Sequence, residues 1–107
     1  MATTGRKAGK AREWVWADTF KAMGDRTRLS ILLKLLQGEA CVGDISKALK
    51  LDAPTVSFHL TKLRYSGLVV NERRGQQVFY SINPKFSKGA HGKLAIDIEG
   101  VVLTFRQ

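Results

Sequence analysis

The side chains with the plainest chemistry lie in residues 54–65. Val56, Leu60 and Leu63 recur there at 0, 4 and 7, the spacing of one buried helix face. Thr55, Phe58, Thr61, Lys62 and Tyr65 are then turned outward, with Ser57 and His59 on the margins. Hydroxyls on such a face read phosphate or base edges, an ammonium neutralises a phosphate, and an outward aromatic ring contacts a thymine methyl. That combination suits double-stranded DNA, and Thr55, Ser57, Phe58, His59 and Lys62 are the candidate contacts. Two members have competing uses. Phe58 could cover a neighbouring apolar patch, and His59 either donates to DNA or packs against the strands that follow. A second basic group, Arg73, Arg74, Gln76 and Gln77, surrounds Gly75 in a turn between two β-rich runs. Arginines at a hairpin tip follow phosphates or enter a narrow minor groove, whereas a solvated turn is the plainer alternative.

Other chemistry is sparse. One cysteine, Cys41, permits no internal disulfide, which fits a reducing cytosol. A thiophilic ion wants two or three thiolates. Cys41 therefore reads as an inert small thiol, or else as a redox centre acting through an intersubunit disulfide or its own oxidation. His91, Asp97 and Glu99 in the tail lack metal-ligand spacing. No metal site or cofactor is expected. With no nucleophile beside a base motif, no phosphate-cradling glycine loop and no paired-His signature, the chain does not read as an enzyme.

The elements that position these residues follow from periodicity and punctuation. Residues 1–12 carry four cations, two glycines and no acid, and read as a disordered basic leader. From Glu13 the pattern is helical, with Trp16, Phe20 and Met23 at 0, 4 and 7. Asp25 caps a helix over 26–37 with Leu29, Leu32, Leu33 and Leu36 as its buried stripe. Arg26 and Arg28 at its start either pair with acids or approach the DNA backbone. Val42, Ile45 and Leu49 mark a short third helix. Asp52 and Pro54 begin the fourth, and Gly67 ends it. Val78, Tyr80 and Ile82 then alternate, so one face of the ribbon packs on the helices. The result is mainly α with a small β-hairpin wing (α+β), a winged helix-turn-helix over residues 13–84. Such a unit places its second helix in the major groove.

The extension at 85–107 is strand-like. Leu94, Ile96 and Ile98 alternate with Lys93, Ala95 and Asp97, and Val101, Leu103 and Phe105 continue the alternation. This is one kinked strand or a hairpin around Glu99 and Gly100. At 107 residues the chain suits one domain with a modest core. Eighteen Lys and Arg against nine Asp and Glu give a net charge of +9, which favours a polyanionic partner. No apolar run approaches the ~20 residues of a membrane span, so a cytoplasmic protein without a membrane partner is expected.

At several of these positions the chain resembles the ArsR family of bacterial winged-helix transcriptional repressors. The matching pieces are residues 20–32 (FKAMGDRTRLSIL), 38–45 (GEACVGDI), 55–69 (TVSFHLTKLRYSGLV) and 73–82 (RRGQQVFYSI). The resemblance implies a homodimeric repressor that binds an inverted repeat with residues 54–65 in the major groove and the 73–77 wing on the backbone or minor groove. It also places the first helix at the dimer interface, which agrees with the heavy aromatic load of Trp14, Trp16 and Phe20. Two departures matter. Gly43 stands where metal-sensing relatives of this type carry a second thiol, so a CysXCys site is absent. A C-terminal dimerisation helix is replaced by the alternating segment, whose Leu94, Ile96, Ile98 and Leu103 are expected at the subunit interface. Alternative readings are a non-specific architectural DNA binder, a protein-interaction winged-helix module, and a repressor responsive to oxidation of Cys41. Nothing in the chain identifies an inducer.

Overall fold

The computed structural model describes residues 12–86, 93–98 and 101–106. In chain order these form α1 (Arg12–Met23), α2 (Arg26–Leu35), β1 (Ala40–Cys41), α3 (Val42–Leu49), α4 (Ala53–Tyr65), β2 (Val69–Arg74), β3 (Gln77–Ile82), a 3-10 turn (Pro84–Phe86), β4 (Lys93–Ile98) and β5 (Val101–Arg106). The arrangement is a winged helix-turn-helix: α3, a three-residue turn and α4, followed by the β2–β3 wing.

Local chemistry fixes the ends of these helices. The Asp25 carboxylate accepts the Arg28 N–H at 3.0 Å, and that of Asp52 accepts the Thr55 N–H at 3.2 Å. Both occupy extended N-cap positions. Both carboxyl groups titrate below the ordinary aspartate range because their charged forms take these hydrogen bonds, from the Arg28 backbone at Asp25 and from Thr55 at Asp52. Pro54 sits in the first turn of α4, where a missing N–H leaves nothing unsatisfied. At its other end Gly67 takes φ +86°, and the N–H groups of Leu68 and Gly67 donate to the carbonyls of Leu63 and Arg64 at 3.1 and 3.0 Å. That reciprocal pair is a Schellman cap, with the buried side chains of Leu68 and Leu63 as its apolar part. The α3–α4 turn is less comfortable. Lys50 adopts φ +58°, ψ +47°, a left-handed conformation that an L side chain occupies at a cost of about 1–2 kcal/mol.

The core sits beneath α4. Ile31, Leu32, Ile45, Val56, Leu60, Leu63 and Leu68 are fully buried, joined by Val69, Ile82 and Phe86. The outcome on α4 matches its sequence periodicity. Elsewhere it shifts. Among the described side chains of α1 the buried ones are Thr19, Ala22 and Met23, with Trp16 half-buried against the core, and Phe20 is turned out at 39% exposure. Small Thr19 and Ala22 let α1 approach closely, and a phenyl ring on that line would hold the helices apart. On α2, Ile31 and Leu35 join Leu32 and Leu36 as the buried members, while Leu29 and Leu33 are half-buried, because the helix presents a wide face to both α3 and α4.

Two strands of the wing and a third, two-residue strand make one sheet in the order β1-β3-β2. Ala40 pairs with Tyr80 and Cys41 with Phe79, so the strand leading into α3 is hydrogen-bonded to the wing. Asn83 closes the base of the wing, its amide donating to the Gly67 carbonyl at 2.9 Å. The C-terminal segment is a hairpin rather than one kinked strand. Leu94 pairs with Phe105, Ile96 with Leu103 and Ile98 with Val101. β4 runs beside the 3-10 turn. The basic leader before α1 lies outside the described residues, as do the side chains of Trp14, Leu94, Ile96, Ile98 and Leu103 and the candidate ligands His91 and Glu99.

Two substitutions test this account by urea denaturation. Leu60→Ala, which opens a cavity under α4, lowers stability by about 2–5 kcal/mol. Lys50→Gly relieves the left-handed strain and raises stability by up to about 1 kcal/mol; a loss at this position would contradict the turn geometry.

Candidate nucleic-acid interface

The outward face of α4 is bare. Phe58 is 56% and Tyr65 78% exposed, Ser57 and Lys62 are exposed, and Thr55 is half-buried at the N-terminal end. The Lys62 ammonium lies 5.0 Å above the Phe58 ring, so the aromatic and the cation form one surface unit. The Phe58 ring meets His59 edge-on at 5.1 Å. With Val56, Leu60 and Leu63 wholly buried on the opposite side, the helix is held from behind and open in front.

His59 turns neither outward nor toward the wing. Its side chain, 14% exposed, faces the start of α2, where Arg28 Nη1 lies 3.1 Å from Nδ1 and the Asp25 carboxylate 3.8 Å away. A guanidinium only donates, so Nδ1 accepts in this contact and the ring proton resides on Nε2. Arg28 also donates from Nε to the Ala22 carbonyl at 2.7 Å. One side chain thereby links the end of α1, the start of α2 and the middle of α4. This answers the question the sequence left open at Arg28: its guanidinium is engaged within the fold. A histidine and an arginine 31 residues apart give no local signal of such a pairing.

At the wing the turn is tighter than its composition suggests. Arg74 still pairs with Gln77 in the ladder, leaving Gly75 and Gln76 as a two-residue loop in which Gly75 alone has positive φ, +64°. This is the pattern of a type II′ turn. Arg74 is bound to protein carboxylates on two sides. Its Nη1 and Nη2 grip Glu39 at 2.6 and 2.9 Å, Nη2 also reaches Glu72 at 2.8 Å, and the guanidinium stacks 4.6 Å over Phe79. Arg73, Gln76 and Gln77 are exposed, with Arg73 making only a long 3.4 Å contact to the Gly75 carbonyl. Arg73 is thus the wing arginine that presents its charge outward, and Arg74 fastens the wing to the segment before β1.

Cys41 is a free, half-buried thiol at the N-cap of α3, and its side chain makes no capping bond. Among the described residues no three metal-binding side chains come together, and no helix is long and apolar enough to cross a membrane. Of the expected interface set, Phe20 and half-buried Trp16 lie on α1. No local pattern signals the cleft of about 480 Å³ between the ends of α1 and α4 and the start of α2, lined by Asp18, Lys21, Arg28, Lys62, Tyr65 and Ser66 among others.

The Glu39–Arg74 clasp has a pH signature. The hydrogen bonds from Arg74 hold the Glu39 carboxyl below the ordinary glutamate value of 4.5. A lowered folded-state pKa means that the clasp is fully present above the ordinary range and is lost as pH falls through the depressed value. In an NMR titration followed at the Glu39 side-chain carboxyl carbon, the midpoint should lie below 4.5. Arg74→Gln should raise that midpoint toward the ordinary glutamate value, and a midpoint unmoved in the variant would refute the clasp.

Comparison with known proteins follows this geometry. A model of the bacterial regulatory protein ArsR family matches residues 25–70, from the α2 cap to the first strand of the wing. The arsenic resistance transcriptional regulator ArsR2 of Pseudomonas putida is 35% identical over 83 residues, spanning 77% of this chain and 72% of that protein. The arsenical resistance operon repressor of Escherichia coli is 44% identical over 66 residues, but the match spans only 56% of its length. Among solved structures, HlyU from Vibrio cholerae superposes with a TM-score of 0.68 at 35% identity, covering 75% of this chain and 87% of its own. The homodimeric winged helix-turn-helix DNA-binding domain of a possible ArsR-family regulator from Mycobacterium bovis gives 0.66 at 32% identity, covering 76% and 80%. On these matches in sequence and fold, the chain belongs to the ArsR family of bacterial regulatory proteins.

Proposed function

We infer that this ArsR-family chain is a DNA-binding transcriptional regulator, and that it acts as a homodimeric repressor on an inverted-repeat operator. The observation that carries the reading is α4, locked from behind by three fully buried side chains while Phe58, Lys62 and Tyr65 stand exposed. In this reading α4 enters the major groove. Thr55 and Ser57 meet phosphate or base edges, Phe58 meets a thymine methyl and Lys62 a phosphate. Arg73, Gln76 and Gln77 approach the backbone or the adjacent minor groove. His59 serves indirectly, holding α4 against α2 through Arg28. Arg74 likewise positions the wing instead of contacting DNA.

Dimerisation follows the homodimeric relative and the surface of α1. Exposed Phe20 and half-buried Trp16 supply aromatic area, and the β4–β5 hairpin is the second contributor. Its register sets Leu94, Ile96 and Ile98 opposite Phe105, Leu103 and Val101 in alternate pairs, and a two-stranded ribbon is marginal unless something covers it. A twofold dimer would set the two α4 helices in successive major grooves about 34 Å apart. Bound across a promoter, it represses by occlusion.

Fluorescence anisotropy with duplex from the upstream region of its own gene, against a scrambled duplex and across a salt series, tests the DNA reading. A preference of about a thousandfold or more is expected for a sequence-specific regulator. Equal, steeply salt-dependent binding to both duplexes would make the chain an architectural binder, and negligible binding would point to a protein partner. Phe58→Ala should weaken the operator complex more than the scrambled one. For the hairpin, truncation after Phe86, which keeps that buried ring in the core, should convert the dimer to monomer in sedimentation; an unaltered tight dimer would remove β4–β5 from the interface.

A further inference from the structure

The cleft between α1, α2 and α4 is not explained by base reading or by dimerisation. Lys21, Arg28 and Lys62 bring three cations to it against the single acid Asp18. Basic residues in a last helical turn often do no more than complement the helix dipole, and Lys21 and Lys62 both occupy last turns. Each helix end carries only about half a negative charge. Asp25 also faces Arg28, so the positive charge the cleft offers rests chiefly on the two lysines. Among the described residues neither lysine has a carboxylate partner. Arg28 commits Nε to Ala22 and Nη1 to His59, while its Nη2 makes no hydrogen bond among the described residues. The exposed Tyr65 completes the rim, beside Ser66, whose hydroxyl donates to the Leu63 carbonyl at 2.8 Å.

We propose that this cleft is a binding site for a phosphate group. A tetrahedral dianion matches ammonium and guanidinium donors on neighbouring helices, and the volume leaves room for whatever the phosphate is attached to. The group could arrive as a backbone phosphate of DNA lying across the end of α4, a source that rests on the proposed function. It could also arrive on a free phosphorylated small molecule, which does not. Lys62 belongs both to the cleft and to the outward face of α4. A free phosphate ester seated there would therefore compete with DNA, giving the protein a means of release that uses no thiol or metal.

The test uses the full chain and Lys21→Gln, a change at an exposed position. One arm titrates the DNA-free protein with inorganic phosphate at constant ionic strength, following the amide resonances of Lys21, Tyr65 and Ser66. The other measures duplex affinity across a salt series for both proteins. If DNA supplies the phosphate, Lys21→Gln weakens operator and scrambled duplex by the same factor and lowers the salt slope by about 0.9. If a free anion supplies it, the amides shift saturably with phosphate, the shift disappears in Lys21→Gln, and phosphate displaces duplex from the wild type. An unchanged salt slope together with no saturable phosphate response would overturn the proposal. Failure of the wild type to bind any duplex would sink the DNA reading alone, and the phosphate arm would still decide the cleft.

Discussion

The structure depends on the anchoring of α4. A helix that must present polar and aromatic side chains to a partner contributes only one face to its own retention, here Val56, Leu60 and Leu63. Burying each such side chain is worth about 1.5–3 kcal/mol, and the rest of the domain is arranged to make that burial complete. α2 and α3 pack against it, β2 continues from its Schellman cap, and α1 closes the remaining side. The apolar layer holds the helix in place but fixes its rotation and tilt poorly. Directional bonds supply that. Arg28 ties α4 to α1 and α2 through His59 and Ala22, so orientation is set by a guanidinium at three helix junctions.

The wing repeats this division of labour at the surface. Strand pairing sets its register, Gly75 permits its turn, and Arg74 pins it through Glu39 and Glu72. Exposed ion pairs contribute little to global stability. A bidentate grip with a stacked ring does constrain direction. Of two adjacent arginines, one therefore holds the wing in position and the other stays exposed.

What was legible in the sequence was what is local. The α4 stripe, the Asp25 and Asp52 caps and the Gly67 terminus all follow from residues within a few positions of one another, and all appear as expected. The fate of His59, Arg28 and Arg74 depends on partners 31 and 35 residues away, which composition cannot choose among. On α1 the apolar residues suggested a stripe through Phe20, yet close helix approach favoured Thr19 and Ala22 inside. The two-residue β1 is too short to leave a periodic signal. The alternating tail showed its strand character plainly, but choosing a hairpin over one bent strand required the register itself.

β1 has a mechanical consequence. It is hydrogen-bonded to the wing through β3 and passes directly into α3 at Val42, with no intervening loop. Helix pair and wing are therefore joined at both ends: by the cap at Gly67 on one side and by this continuous strand-to-helix junction on the other. A displacement of the wing is thus passed to α3 through backbone hydrogen bonds as well as to α4 through the short connection at 66–68.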